Sequence, residues 1–207
     1  AAHFLHHMFY VLGPSKDESV LLKSVTAELY RANPIENFDT CAVKVKTEDH
    51  VDLLFYATHA VKDQRGPQYV FEFERATVSY TRDDKGPIIA RFHDGTEKMY
   101  ANPEDDHLHK LPTCIRAASQ GNRDILCGPE AAYDHVLCIN AMHESVPEIA
   151  LFPTHLVKRD EERKINWVDG LRETMTQCYD DWLLPSEAGV AWSKSGEAID
   201  LAQKLLR

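Results

Sequence analysis

Residues Lys23 to Ala60 read KSVTAELYRANPIENFDTCAVKVKTEDHVDLLFYATHA, and three runs inside this stretch alternate at a period of two. Val25, Ala27 and Leu29 form the first run, Cys41, Val43 and Val45 the second, and Val51, Leu53, Phe55 and Ala57 the third. Successive β side chains point to opposite faces of a sheet, so this period marks half-buried strands. Only Glu48, Asp49 and His50 separate the second run from the third, which predicts an antiparallel hairpin. Leu54 and Tyr56 give the third strand a second apolar face. The connection between the first two runs, Arg31-Ala-Asn-Pro-Ile-Glu-Asn-Phe-Asp39, carries more hydrogen-bonding groups than a turn needs, which makes it a candidate site.

Upstream, AAHFLHHMFYVLG at 1–13 reads as the body of a helix, with Phe4, Met8 and Val11 at near-helical spacing and Gly13 as terminator. A helix that starts in mid-body, without a Met or a cap, predicts a segment upstream. Downstream, Tyr69, Phe71 and Phe73, then Ala76, Val78 and Tyr80, then Ile88, Ala90 and Phe92 mark further strands. Asp94-Gly95 is a two-residue hairpin signal leading into Thr96–Tyr100, so about seven strands are expected, nearly all antiparallel.

Helical spacing then takes over. Asp105 to Gln120 puts Leu108, Leu111, Ile115 and Ala118 on one face, with Pro112 kinking the helix or starting its second half. A second helix runs from Pro129 to about Ser145, with Ala132, Val136, Ile139 and Met142 or His143 inward. Phe152 to Val157 suits a short strand. Asp169 is a candidate cap for a helix presenting Leu171, Met175, Cys178 and Trp182, which Pro185 stops. Ser195 to Arg207 suits one more amphipathic turn or two. The expected fold is α+β: one domain over 1–207, an open, largely antiparallel sheet, and helices on one face. The uncovered face is then expected to meet a partner domain or a second copy of the chain, giving a homo-oligomer.

At 207 residues the chain can bury a core without staples. Its formal charge of −10 disfavours a nucleic-acid or anionic-membrane partner, since those need a basic face. No apolar run approaches the ~18 residues of a membrane span, and no signal-peptide pattern opens the chain, so a cytoplasmic protein is expected. Cys41, Cys114, Cys127, Cys138 and Cys178 are scattered, odd in number and without a CxxC, the pattern of reduced thiols rather than a zinc knuckle.

His3, His6 and His7 share one helix face. Imidazoles at i and i+4 reach a common ion, yet no carboxylate or cysteine stands beside them, so no metal is expected and His6 and His7 are read as packing or hydrogen-bonding residues. His143-Glu144 lacks the second histidine of a zinc-protease helix. Arg31, Asn33, Glu36, Asn37, Asp39 and His59 supply both donors and acceptors, as a polyol or sugar requires; the other reading is a solvated strand connection in which Asn and Asp satisfy their own backbone.

Five segments carry a family resemblance: HFLHHMFYVLG at 3–13, AELYRANPIENFDT at 27–40, LLFYATHAV at 53–61, FEFERATVSY at 71–80 and LPSEAGVAWSKSGEAIDL at 184–201. Their order and spacing resemble the C-terminal domain of the Gfo/Idh/MocA oxidoreductases, named for glucose-fructose oxidoreductase and inositol dehydrogenase. The resemblance implies an enzyme of two parts: an N-terminal Rossmann domain holding NAD or NADP, and a C-terminal sheet domain that closes the substrate cleft and mediates oligomerisation. Only the second part matches this chain. No GxGxxG follows a strand, and the family's Glu-Lys-Pro motif is missing, so the chain alone is expected to bind no cofactor. His3, ten residues before Gly13, matches the histidine that takes the substrate hydroxyl proton; the aspartate usually four residues earlier would precede Ala1.

The expected function is therefore that of the C-terminal domain of a nicotinamide-dependent oxidoreductase acting on a CH–OH group of a sugar, cyclitol or related compound. A non-catalytic module that self-associates through an aromatic sheet face with Tyr30, Tyr56 and Tyr69 is the alternative. A third reading, a small histidine metal protein, requires bound metal in the purified chain.

Overall fold

The computed structural model describes residues 2–63, 65–83, 86–103, 105, 108 and 110–201. Contacts divide the chain into two units, Ala1–Lys62 with Cys127–Arg207, and Asp63–Leu126.

The larger unit is built on β1 (Leu22–Arg31), β2 (Thr40–Thr47) and β3 (Asp52–Thr58). These pair antiparallel, with Val25 opposite Val45, Leu29 opposite Cys41 and Val43 opposite Phe55, so the hairpin expected across Glu48–His50 is present. Directly opposed residues share a face. Val25, Ala27, Leu29, Cys41, Val43, Val45 and Leu53 accordingly form one apolar layer. Two helices cover it, α1 (Ala2–Val11) through Leu5 and Phe9, and α3 (Tyr133–Ser145) through Cys138, Ala141 and Met142. Burying a side chain such as Leu5 or Phe9 stabilises the unit by about 1.5–3 kcal/mol each. The spacing of Phe4, Met8 and Val11 predicted the helix but named the wrong stripe: Phe4 and Val11 are exposed. Gly13 follows α1 because a Cβ there would collide with the Glu18 carbonyl, where the chain folds back to let Val20 N donate to Phe9 O (3.1 Å).

The expectation of an open second face is overturned in this sheet. Tyr30 and Ala42 are buried there against Phe152, Val168, Leu184 and two residues of α4 (Leu171–Asp181), Leu171 and Met175. The segment after α4 completes the cover. Glu28, fully buried, accepts hydrogen bonds from the Tyr30 hydroxyl and from Ser186 N (3.0 Å) and Oγ (2.6 Å). The Tyr30 oxygen accepts in turn from Lys194 N (3.0 Å), and the Trp192 ring stands edge-on to both Tyr30 and Phe152 at 5.0 Å. Gly196 then passes so close that a Cβ would collide with Ser145 Oγ and with the Ala27 and Ser145 carbonyls. Two short strands finish the sheet on β1: β8 (Ala150–Leu151), parallel at Tyr30 and Arg31, and β11 (Ile199–Asp200), antiparallel at Ser24 and Val25. The described part of Ser195–Arg207 thus contains the two-residue strand β11 and no helical turn, because the outer edge of β1 offers unpaired backbone groups; residues 202–207 lie outside the described residues.

A separate hairpin, β9 (Val157–Asp160) with β10 (Ile165–Val168), takes the place of the single short strand expected from Phe152 to Val157. On α3 the inward stripe is Asp134, Cys138, Ala141 and Met142, and Val136 is exposed. Gly170, left-handed at φ 73°, stands at the α4 N-cap in place of Asp169.

In the smaller unit β4 (Gln68–Glu72), β5 (Ala76–Thr81), β6 (Ile89–Phe92) and β7 (Glu97–Met99) form an antiparallel meander. The strands therefore form sheets of five, four and two, not one sheet of about seven. The break follows from the segment after β3: Gly66 takes φ 76°, and Pro67 has no N–H to continue a ladder. The smaller unit's helix, α2 (Lys110–Gln120), has Pro112 in its first turn and buries Ala117, while Leu108, Leu111 and Ile115 are exposed. Periodicity had put Leu108, Leu111, Ile115 and Ala118 inward; it tells which residues share a face, not whether anything covers that face. The expected start at Asp105 falls among positions of which 104, 106, 107 and 109 lie outside the described residues.

Candidate functional site

The connection from β1 to β2 is shaped by its own polar side chains. Asp39 Oδ2 accepts from Ala32 N (3.0 Å), Asn33 N (2.8 Å) and Asn33 Nδ2 (2.9 Å), and its Oδ1 accepts from Thr40 Oγ1 (3.1 Å). Asn33 Oδ1 accepts from Asn166 N (2.7 Å), and Asn166 Nδ2 donates to Ala32 O (2.8 Å), so the connection is tied to β10. Arg31 Nη1 donates to Ile35 O (2.7 Å) and Glu36 O (2.9 Å). His59 reaches the same place through its backbone, donating to Asp39 O (2.8 Å). The structure therefore brings Arg31, Asn33, Asp39 and His59 together at one end of the five-stranded sheet. There the side chains of the first three fix the shape of the connection.

That shape presents Glu36 and Asn37. Asn37 Oδ1 accepts from Phe38 N (2.8 Å), which orients the amide. Together with His143 and Ile149 these two residues line a cavity of about 320 Å³. Phe38 packs against the His143 ring at 5.7 Å and holds that side of the cavity.

His3 belongs to another neighbourhood. It stands exposed in the first turn of α1, and its charge acts on His6 and His135. His6 Nε2 lies 2.8 Å from Cys127 Sγ, and the His6 and His135 rings meet edge-on at 6.1 Å. Loss of water lowers the His6 and His135 pKa values, and the neighbouring imidazoles lower them further; His7 is lowered by the same causes, burial first and His6 second. Burial raises the Cys127 thiol. The group is thus held neutral, with His6 Nδ1 and His135 Nε2 buried and unpaired among the described residues. Among those residues no set of three or more His, Cys, Asp or Glu is spaced to hold a metal. His135 and His143 stand eight residues apart on α3, about 12 Å of helix rise, so the cavity and the His3 neighbourhood lie at different points along that helix.

The lowered histidines fix a direction with pH. With folded values below the ordinary 6.5, both states are neutral above about pH 7.5; as pH falls below 6.5 the unfolded chain takes up protons first, and stability is lost down to the folded values. Burial raises the Asp134 carboxyl, which acts in the opposite direction. The urea midpoint should therefore fall from about pH 7.5 to about pH 5.5, and His6→Gln with His135→Gln should flatten that slope. An equally steep slope in the double variant would refute the assignment.

Cys127, His135, His143, Ile149 and Asn166 join these places; the sequence marks His143 only as half of an incomplete zinc-protease pair and Cys127 only as a reduced thiol, and the other three not at all. Their partners lie over a hundred positions away, and no local period links them.

No protein-family model matches the chain, and no curated protein matches it significantly. Solved structures do. An oxidoreductase from Sinorhizobium meliloti superposes with a TM-score of 0.51 at 10% identity, over 62% of this chain and 45% of that one. An oxidoreductase domain protein from Kribbella flavida gives 0.51 and 10%, over 69% and 46%. An inositol dehydrogenase homologue from Azotobacter vinelandii, solved with NADH and myo-inositol, gives 0.49 and 12%, over 69% and 46%. At these identities the likeness is one of fold: part of the chain folds as parts of solved oxidoreductases do. The chain spans less than half the length of each of these solved chains.

Proposed function

We propose that the chain is the substrate-side portion of a nicotinamide-dependent oxidoreductase that acts on a CH–OH group of a sugar, cyclitol or related compound. The observation that carries this reading is His3, exposed on the first turn of a helix that Gly13 follows, in a chain part of whose fold is found in solved oxidoreductases. An imidazole free to reach solvent suits a proton acceptor, the part histidine most often takes in proton transfer. His3 takes the hydroxyl proton at a ring nitrogen as the carbonyl forms. NAD or NADP, when bound, would supply the acceptor for the hydride that leaves the same carbon. No strand of this chain runs into a glycine-rich phosphate turn, so no residue here is assigned to the cofactor, which a separate dinucleotide-binding part would hold. Arg31, Asn33 and Asp39, with the backbone of His59, position the β1–β2 connection that presents Asn37.

The reading is tested by following reduced nicotinamide as the full-length protein is offered a panel of sugars and cyclitols with NAD or NADP. Turnover with at least one of them supports it. A protein that binds the cofactor yet oxidises no member of the panel refutes it.

A further inference from the structure

Cys41, Cys138 and Cys178 are buried, whereas Cys127 is exposed and its sulfur lies 2.8 Å from His6 Nε2. Both sides of this contact are fixed. Cys127 N donates to Lys16 O (3.3 Å), and the residue takes φ 59°, a left-handed backbone that a cysteine adopts at a cost and keeps only where its surroundings hold it. The His6 ring stands 5.9 Å from the Tyr10 ring and 6.1 Å from the His135 ring. The pair rests uncharged, because burial raises the thiol and lowers the imidazole. With its own hydrogen on Nδ1, His6 accepts the thiol hydrogen at Nε2.

The charged groups around the pair leave that role to His6. On α1, His3 lowers His6 further, and the Tyr10 hydroxyl donates to Lys16 O (3.2 Å). His7 on α1 and His135 on α3 are themselves lowered, by burial first and by His6 second. In the loop after α1 the Lys16 ammonium is paired with Asp17 (3.2 Å), and the Glu130 carboxylate approaches Gly128, next to Cys127.

We infer that Cys127 and His6 form a thiol–imidazole pair that exchanges with low-molecular-weight disulfides, which makes Cys127 a site of reversible mixed-disulfide formation. The thiol proton passes to His6 Nε2 as the Cys127 sulfur bonds one sulfur of the disulfide. The S–S bond of the disulfide breaks, and its other sulfur leaves as a thiolate that takes the proton back from His6. A thiol and a disulfide are consumed and a thiol and a disulfide are formed, so no further oxidant enters. The step uses His6 and not His3, and it needs neither nicotinamide nor a sugar. Its outcome therefore bears on this inference alone and leaves the oxidoreductase reading where it stands.

The test follows, by peptide mass, the labelling of Cys127 in the full-length protein by dipyridyl disulfide. Label is expected at Cys127, and dithiothreitol should remove it. Because the proton stays within the pair, the labelling rate should change less than about threefold between about pH 7 and pH 8. An unassisted thiol held above its ordinary pKa should instead react about tenfold faster over the same interval, as its thiolate forms. His6→Gln should accordingly slow labelling at least about tenfold near pH 7 and bring out that steep rise. Absence of label at Cys127 overturns the inference. So does a steep rise between about pH 7 and pH 8 with His6 in place, a result that does not depend on whether the variant folds. Equal rates with and without His6, in a variant that melts as the unaltered protein does, overturn it as well.

Discussion

His3→Ala in the full-length protein is expected to lower kcat by about 10²- to 10⁴-fold, the range for loss of a general base. Because His3 is exposed and absent from the buried core, the fold should survive, and the melting transition of the variant should match that of the unaltered protein. Cofactor affinity should barely change, since no residue of this chain is assigned to the cofactor. His3→Asn is the sharper substitution: it keeps a hydrogen-bonding group of similar size that cannot take the proton at neutral pH. Oxidation by the unaltered protein should slow as the imidazole becomes protonated, and the Asn variant should lose that limb. Near-normal kcat with the same acid limb would show that His3 only orients or packs. His6 and His135 would then be the groups to test, since both are held neutral beside it.

Glu28→Ala should cost about 3–5 kcal/mol of stability, because it leaves several buried groups unpaired at once. The carboxylate accepts from the Tyr30 hydroxyl and from both Ser186 N and Oγ, and, Glu28 being fully buried, its removal also leaves a void. Glu28→Gln keeps the volume and one acceptor oxygen, so it should cost less. Tyr30→Phe removes only the hydroxyl that joins Glu28 to Lys194 N and should fall between the two. Urea midpoints at neutral pH read all three. A loss below about 1 kcal/mol in Glu28→Ala would mean that water replaces these partners and that the segment from 184 to 196 is not locked on the sheet.

The β2–β3 hairpin was legible because alternation and a short polar gap are local signals. The β9–β10 hairpin was not: Val157 to Val168 reads VKRDEERKINWV, its charges break any apolar alternation, and its position depends on Asn166 meeting Asn33. On α1 the period was readable but the stripe was not. Phe4, Met8 and Val11 obey helical spacing as well as Leu5 and Phe9 do, and only packing on Val20 and Leu22 selects the second set. The second face of the sheet was read as open because the segment that completes its cover, Leu184 to Gly196, has neither helical nor strand period; it is held by contacts at Glu28, Tyr30 and Ala27. In the candidate site, the residue types of the Arg31–Asp39 connection were visible. Sequence alone could not divide those that shape the backbone, Arg31, Asn33 and Asp39, from those left facing the cavity, Glu36 and Asn37.

The two borders of β1 differ in when they become available during synthesis. β2 emerges within about 20 residues of β1 and can pair at once, whereas the opposite edge waits for β8, about 120 positions later at Tyr30, and for β11, about 170 positions later at Val25. At about 5–20 residues per second, a nascent chain carries that bare edge for roughly 10–30 s. During this interval the groove for Gly196 is empty and Glu28 is uncapped, so the sheet stays incomplete until Asp200 has been made. Ribosome-bound intermediates are therefore a natural target for chaperones that bind unpaired strands, and truncation just before Leu184 should yield a product that aggregates, although among the described residues α1 to α4 and β1 to β10 have been made.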